Sequence, residues 1–374
     1  MGTFVQKPPA YTMSLYKSIK KTLFGLYKSK QKGHSKRRLV TMAGMITGLL
    51  RSKKGTIHSI GKRFPSKSDL ESRIKRVKRS LGNKWNDWEF QYLPCLQKIL
   101  HILSKQGHIK LIIDGSQMGS SCTALMLSVL WGDTAIPLCW LVRQAPKGHF
   151  PSEMHKDLVA QIAPILKATL PKKCHIVLLG DGEFSNCLLQ QTCLDVGFDY
   201  VFRLAKDTPL YEDEVTLDGF KPNSIPKDTF FYAPDIFMTE KRFGEVHFVA
   251  YHEAQYEDPL YLVSNLDFPP LIIKYYKARF RIETLFGNMK SRGFNIHQTK
   301  VKNPDIINGL LLIVSWAYVW LVYLGKFAKK QPDFAKYARK DRNDWSLLTL
   351  AWAFLDFCTD IDDVIYLNLS MNSA

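Results

Sequence analysis

Apolar residues in the middle of this 374-residue chain gather into short β-branched runs, the pattern of buried strands. His108 to Ile113 is one such run and leads directly into Asp114 and Gly115. His175 to Gly180 is another and leads into Asp181 and Gly182. Between them, Cys122 to Trp131 and Ala135 to Val142 predict two more strands, followed by a helix over Ser152 to Thr169. A short helix, about Ser185 to Val196, and a strand, Tyr200 to Leu204, continue the series. The alternation of strand and helix predicts an α/β core.

The flanks read differently. Residues 206 to 270 are rich in aromatics and proline, with short alternating runs at Thr229 to Tyr232, Val246 to Tyr251 and Leu260 to Val263, and predict a β-rich insertion. Ile306 to Gly325 carries no charge over 20 positions, long enough to span a bilayer. Asn308, Gly309, Ser315, Tyr318 and Tyr323 within it, and the lack of a second span, favour a buried core helix, so no membrane is expected. Helices are predicted at Met13 to Tyr27 and Lys36 to Leu50, and another through Leu81, opened by a Ser68/Glu71 capping box. The N-terminus lacks the apolar stretch of a signal peptide.

Charge sharpens this division. Residues 1 to 84 hold 22 Lys or Arg and two acids, Asp69 and Glu71, whereas the rest of the chain holds 30 basic and 32 acidic residues. Nearly all of the +18 excess is therefore N-terminal. Cations at that density point to a polyanion partner, and Arg73, Lys75, Arg76, Lys78 and Arg79 on one predicted helix are the candidate DNA contacts. The seven cysteines form no CxxC pair and the ten histidines no HExxH cluster, so reduced thiols in a cytosolic protein are expected and a zinc site is not.

The stretch Tyr276 to Lys290, YKARFRIETLFGNMK, carries the chemistry. Read as one helix at about 100° per residue, Arg279, Glu283 and Lys290 lie at roughly −60°, −20° and −40° from Tyr276. Ile282, Leu285, Phe286 and Met289 form a neighbouring apolar stripe. Arg279 and Glu283, four apart, are also the spacing of an ordinary surface ion pair. Asp-Gly after a strand is likewise an ordinary turn signal. Glu183 competes with Asp181, but points away if the strand continues.

The string Tyr276, Arg279, Glu283, Lys290 resembles the signature of the IS-four family of DDE transposases, and the likeness extends over about residues 35 to 325. Arg73 to Asn83 resembles, less specifically, that family's N-terminal region. The resemblance implies an RNase H-like catalytic core with a β-rich insertion, preceded by an all-α N-terminal DNA-binding domain. Its parts are a helical basic domain at 1–106, the core at 107–205, the insertion at 206–271, the core's Glu-bearing and buried helices at 272–326, and a C-terminal helical region at 327–374. The catalytic and metal-binding residues would be Asp114, Asp181 and Glu283. By the family's pattern Asp114 bridges two Mg²⁺ ions, with Mn²⁺ able to substitute, while Asp181 and Glu283 each hold one. Tyr276, Arg279 and Lys290 would contact DNA phosphates.

A cut-and-paste transposase is therefore expected, cytoplasmic and nucleoid-associated in a bacterial cell. It would bind double-stranded DNA at transposon ends and target, act as a synaptic homodimer, and pass through a hairpin intermediate. An insertion aromatic would stack on a flipped base, with Phe230, Phe231, Tyr232 and Phe237 as candidates that could equally pack the sheet. The alternatives are a non-catalytic transposase-derived regulator and a nuclease on the same core without strand transfer. The C-terminal cations Lys329, Lys330, Arg339, Lys340 and Arg342, and the apolar helix at Leu347 to Phe357, could serve dimerisation or DNA contact.

Overall fold

A computed structural model describes residues 10–27, 31–145, 149–212, 215–216, 225–331, 334 and 345–360. Six α-helices precede the first strand among these: α1 (Ala10–Gly25), α2 (Gly33–Ser52), α3 (Ile57–Lys62), α4 (Leu70–Leu81), α5 (Trp88–Gln91) and α6 (Leu93–Leu103). One boundary corrects the sequence reading. The cap of α4 is Asp69, whose carboxylate accepts the Ser72 N–H at 2.8 Å. Ser68 turns back to Ser66 instead, and Glu71 pairs with Lys75. Asp caps as well as Ser does, and it stands one residue closer to the helix.

The strands β1 (His108–Met118), β2 (Cys122–Trp131) and β3 (Thr134–Gln144) form an antiparallel meander. Helix α7 (Ser152–Thr169) leads to β4 (His175–Gly180), and α8 (Cys187–Asp195) to β5 (Asp199–Arg203). Both strands run parallel to β1 in the order β3-β2-β1-β4-β5. This is the order of elements expected from the sequence, with one difference. The first strand does not stop before Asp114: β2 continues to pair with it as far as Met118, so Asp114 lies inside β1 opposite Met126.

The β-rich region joins the same sheet. Strands β6 (Leu210–Glu212), β7 (Val215–Thr216), β8 (Thr229–Met238), β9 (Phe243–His252) and β10 (Leu260–Ser264) extend it, because β10 pairs antiparallel with β5. Ten strands form a single mixed sheet, and the insertion continues the core edge to edge.

Helices α9 (Pro269–Ala278), α10 (Arg281–Met289), α11 (Pro304–Ala328) and α12 (Leu347–Asp360) follow. α11 is the only described helix long and apolar enough to cross a membrane, and 83 % of its apolar window is buried in the fold. It packs on β3, α2, α4 and α12, so the N-terminal helices and the sheet share one hydrophobic core. Close approach requires Gly309, since a methyl group there would collide with the Leu81 carbonyl of α4. Indole donors tie the layers together: Trp140 Nε1 bonds Asn308 Oδ1 at 2.7 Å and Trp316 Nε1 bonds the Gln91 carbonyl at 3.0 Å. All seven cysteines are free thiols. Arg339, Lys340 and Arg342 lie outside the described residues.

Candidate active site

Strand register brings two of the acids together. The β1–β4 pairing runs as far as Ile112 opposite Leu179, and Asp114 and Asp181 each follow two residues later. The Asp181 charge acts on the Asp114 carboxyl, so the two acids lie near each other. Asp181 keeps an extended backbone and accepts the Glu183 N–H at 3.0 Å, capping a single 3₁₀ turn. Gly115 is required beside Asp114 because the Phe150 ring lies where a Cβ would be.

The third acid approaches from a break in a helix. Tyr276 to Lys290 is two helices, not one, with Arg279 and Phe280 between α9 and α10. Three i→i+3 bonds tighten the junction: Arg279 N to Tyr276 O, Ile282 N to Arg279 O, and Glu283 N to Phe280 O. Each 3₁₀ step adds roughly 20° over an α step, so the equal spacing of a single helix does not hold. Arg279 turns inward and is 6 % exposed, whereas Glu283 stays outward. Ile282, Leu285, Phe286 and Met289 are buried, as their stripe predicts.

Arg279 bridges the site. Its Nη1 is 3.6 Å from Asp114 Oδ2 and its Nη2 is 3.2 Å from Glu283 Oε1. The guanidinium also lies 4.6 Å from the centre of the exposed Phe280 ring, and its buried Nε has no hydrogen-bond partner among the described residues. The i,i+4 pair read from the sequence therefore exists, but it is anchored on a buried cation that a second acid shares.

Electrostatics mark Asp114 as the strained group. Burial, followed by the Asp181 and Glu283 charges, pushes its carboxyl up to about 7 against the opposing pull of Arg279 and the Gly115 N–H. Lys290 follows the end of α10, half-buried; burial lowers its ammonium, and the Asp114 charge opposes that shift. Tyr276 is 1 % exposed and its phenol is raised by burial, with Arg279 and Arg203 acting against. Of the three expected phosphate contacts, Tyr276 and Arg279 are thus packed inside and Lys290 lies at the margin.

Sequence reading missed a second layer. The strand does not continue to Glu183, which lies in a 3₁₀ turn. Its carboxylate accepts the Phe150 N–H and meets His149 Nδ1 at 3.1 Å and buried His155 Nε2 at 3.7 Å. Burial works to raise the Glu183 carboxyl, but these partners hold it below the usual range. Glu183 thereby pins the Phe150 segment over Gly115. Arg203, at the end of β5, also carried no signal beyond its strand-end position.

Among the described residues no three of the His, Cys, Asp and Glu side chains are gathered into a metal cage. The donor chemistry nevertheless suits a hard divalent cation: three carboxylates, one inside a rigid strand and one directly after the end of another. A cation would relieve the repulsion that raises Asp114, and it would compete with Arg279 for Asp114 and Glu283.

The predicted DNA contacts on α4 divide into three kinds. Arg76 and Arg79 line an open groove between α2 and α4 with His34, Arg37, Arg38, Lys84 and Trp85. Arg73 instead bonds the Lys62 and Phe64 carbonyls, and Lys75 pairs with Glu71 at 2.6 Å. Lys78 lies on a different surface beside Lys300 and Lys302. In the insertion, Phe230 and Phe231 are 49 % and 37 % exposed. The Tyr232 hydroxyl bonds His247 and the Asp267 carbonyl, and Phe237 packs where a Gly244 Cβ would be.

Residues 147–320 match the transposase DDE domain, a segment that holds Asp181, Tyr276, Arg279, Glu283 and Lys290 and begins 33 residues after Asp114. No curated protein matches the chain. Among solved structures, the catalytic domain of human endonuclease V is 12 % identical, covering 60 % of this chain and 95 % of its own at a TM-score of 0.25. Endonuclease V of Ciona intestinalis, solved with a 24mer DNA containing an inosine followed by a ribo-adenosine, is 13 % identical, covering 63 % and 98 % at 0.25. The match, over just under half of the chain, supports a transposase DDE domain in residues 147–320.

Proposed function

We propose that this chain is a cut-and-paste DNA transposase of the IS-four kind, with Asp114, Asp181 and Glu283 as its metal-binding acids. The observation that supports the reading is the Arg279 bridge between Asp114 and Glu283, with the Asp181 charge acting on the same Asp114 carboxyl. A non-catalytic regulator would have no use for a carboxyl that burial, and then two neighbouring acids, push up to about 7.

Divalent ions, two Mg²⁺ in this reading, supply an activated water or 3′-hydroxyl nucleophile and neutralise the leaving oxygen. The side chains do the rest. Arg279 holds Asp114 and Glu283, which with Asp181 would hold the metal, and its planar fork suits a phosphate oxygen at the same place. Lys290 contributes a point charge from the rim, and Tyr276 supports Arg279 from beneath. Duplex DNA at the transposon ends lies along the cationic groove between α2 and α4, where Arg37, Arg38, Arg76 and Arg79 grip its backbone. Cleavage passes through a hairpin within a synaptic homodimer, and the exposed Phe230 and Phe231 are the insertion aromatics open to an extruded base.

The test is incubation with the element's own terminal repeats and Mg²⁺. Asp114→Ala, Asp181→Ala and Glu283→Ala should each abolish cleavage while retaining end binding in a mobility-shift assay. A variant that cuts normally removes that residue from the triad. Cleavage without joining of 3′ ends to target DNA would assign the chain to the plain nucleases.

A further inference from the structure

Asp114 and Asp181 are linked through two residues that lie outside the sheet. Asp114 Oδ1 accepts the Gly115 N–H at 2.7 Å, and the Phe150 ring occupies the space where a Gly115 Cβ would be. The Phe150 N–H donates to Glu183 Oε1, and the Glu183 N–H donates to Asp181 Oδ1 at 3.0 Å. One chain of contacts thus runs from Asp114 to Asp181 by way of Phe150 and Glu183.

Both links are held from behind. Arg143, near the end of β3, sets its guanidinium 4.8 Å from the centre of the Phe150 ring and donates through Nη2 to the His149 carbonyl at 2.6 Å. On the other side, the His155 imidazole of α7 is 1 % exposed, with Nε2 3.7 Å from Glu183 Oε1 and Nδ1 3.2 Å from Asn186 Nδ2. Asn186 Oδ1 caps α8 by accepting the Leu189 N–H at 2.9 Å, which leaves the amide nitrogen turned to His155. That nitrogen can only donate, so Nδ1 accepts and the imidazole proton sits on Nε2, facing the Glu183 carboxylate.

We infer that Glu183 is a positioning residue for the proposed metal site: its carboxylate holds Phe150 on Gly115 while its backbone holds Asp181, which sets the two acids against each other. The inference rests on Asp114 and Asp181 being metal ligands. What matters is then the reach of the Glu183 side chain and its acceptor oxygen, not its charge. Losing an outer partner of a metal ligand weakens metal binding about 10- to 100-fold.

The test measures Mn²⁺ binding by the full chain without DNA, from the paramagnetic resonance of the free ion, at a temperature well below melting. Glu183→Gln keeps an amide oxygen that can accept the Phe150 N–H, and should bind within about twofold of wild type. Glu183→Asp keeps the charge but is one methylene too short, and should bind at least about tenfold more weakly. Phe150→Ala should show the same loss with Glu183 intact, and the contrast of Gln with Asp stands by itself if that variant does not fold. Loss in Glu183→Gln would make the charge, and so direct metal ligation, the role of Glu183 and overturn the inference. Wild-type affinity in Glu183→Asp would overturn it too, by reducing Glu183 to a stabilising contact. A wild-type chain that binds Mn²⁺ no better than Asp114→Ala overturns the metal-site reading along with it.

Discussion

Asp114 is 17 % exposed in the interior of a strand, beside a second carboxylate and within reach of one buried guanidinium. Its folded-state carboxyl titrates near 7, above the ordinary value of 3.8, so the folded protein binds that proton more tightly than the unfolded chain. Stability from this group is therefore greatest at low pH and falls as pH rises through about 7. Asp114→Asn removes the charge and keeps the shape. In metal-free buffer the variant should melt higher than wild type at pH 8, by about 4 kcal/mol at most. The gap should close toward pH 5, and equal melting curves at both pH values would contradict it. Mg²⁺ should raise the wild-type melting temperature at pH 8 and leave Asp114→Asn almost unmoved. Arg279→Lys tests the fork: it keeps the charge but loses simultaneous contact with Asp114 and Glu283. Its cleavage rate should fall about 10²-fold with end binding retained.

Elements decide where those residues can act. β4 ends at Gly180 and β1 runs on to Met118, so the sheet opens on one side of Asp114 while β2 still holds it on the other. Glu283 depends on the tight junction between α9 and α10, which no spacing rule for a single helix anticipates. α11 binds the layers together, and Leu312 in its centre is fully buried. Leu312→Ala should cost about 2 to 5 kcal/mol by chemical denaturation. Gly309→Ala pushes α11 away from the Leu81 carbonyl and should cost about 1 to 3 kcal/mol, a larger penalty than an exposed helical glycine gives. A gain in stability at Gly309 would mean that α4 does not pack there.

At the scale of the whole molecule, charge and core are unevenly shared. The first 84 residues carry a net +20, from 22 basic and two acidic residues, while the remainder is close to neutral. If the α2–α4 groove carries six or more phosphate contacts, affinity for duplex DNA should drop roughly 10³-fold or more between 50 and 200 mM salt. Arg37→Glu with Arg79→Glu should flatten that slope and weaken binding to any sequence, whereas Arg73→Gln should act through stability because its guanidinium is engaged by carbonyls. A steep slope in the double variant would move the interface elsewhere.

Periodicity determined the elements: Cys122–Trp131, Ser152–Thr169 and His175–Gly180 were legible to the residue, because strands and helices impose their repeats directly on apolar positions. The sequence also named Asp114, Asp181 and Glu283 as candidates. It could not place them against one another. That needed the β1–β4 register, the inward turn of Arg279 at a 3₁₀ junction, and the edge pairing of β10 with β5 that draws the insertion into the core sheet. Each of these depends on contacts between residues far apart in the chain. The contacts of Glu183 and His155, and the effect of Arg203 on Tyr276, have the same origin: only the folded chain brings their side chains together.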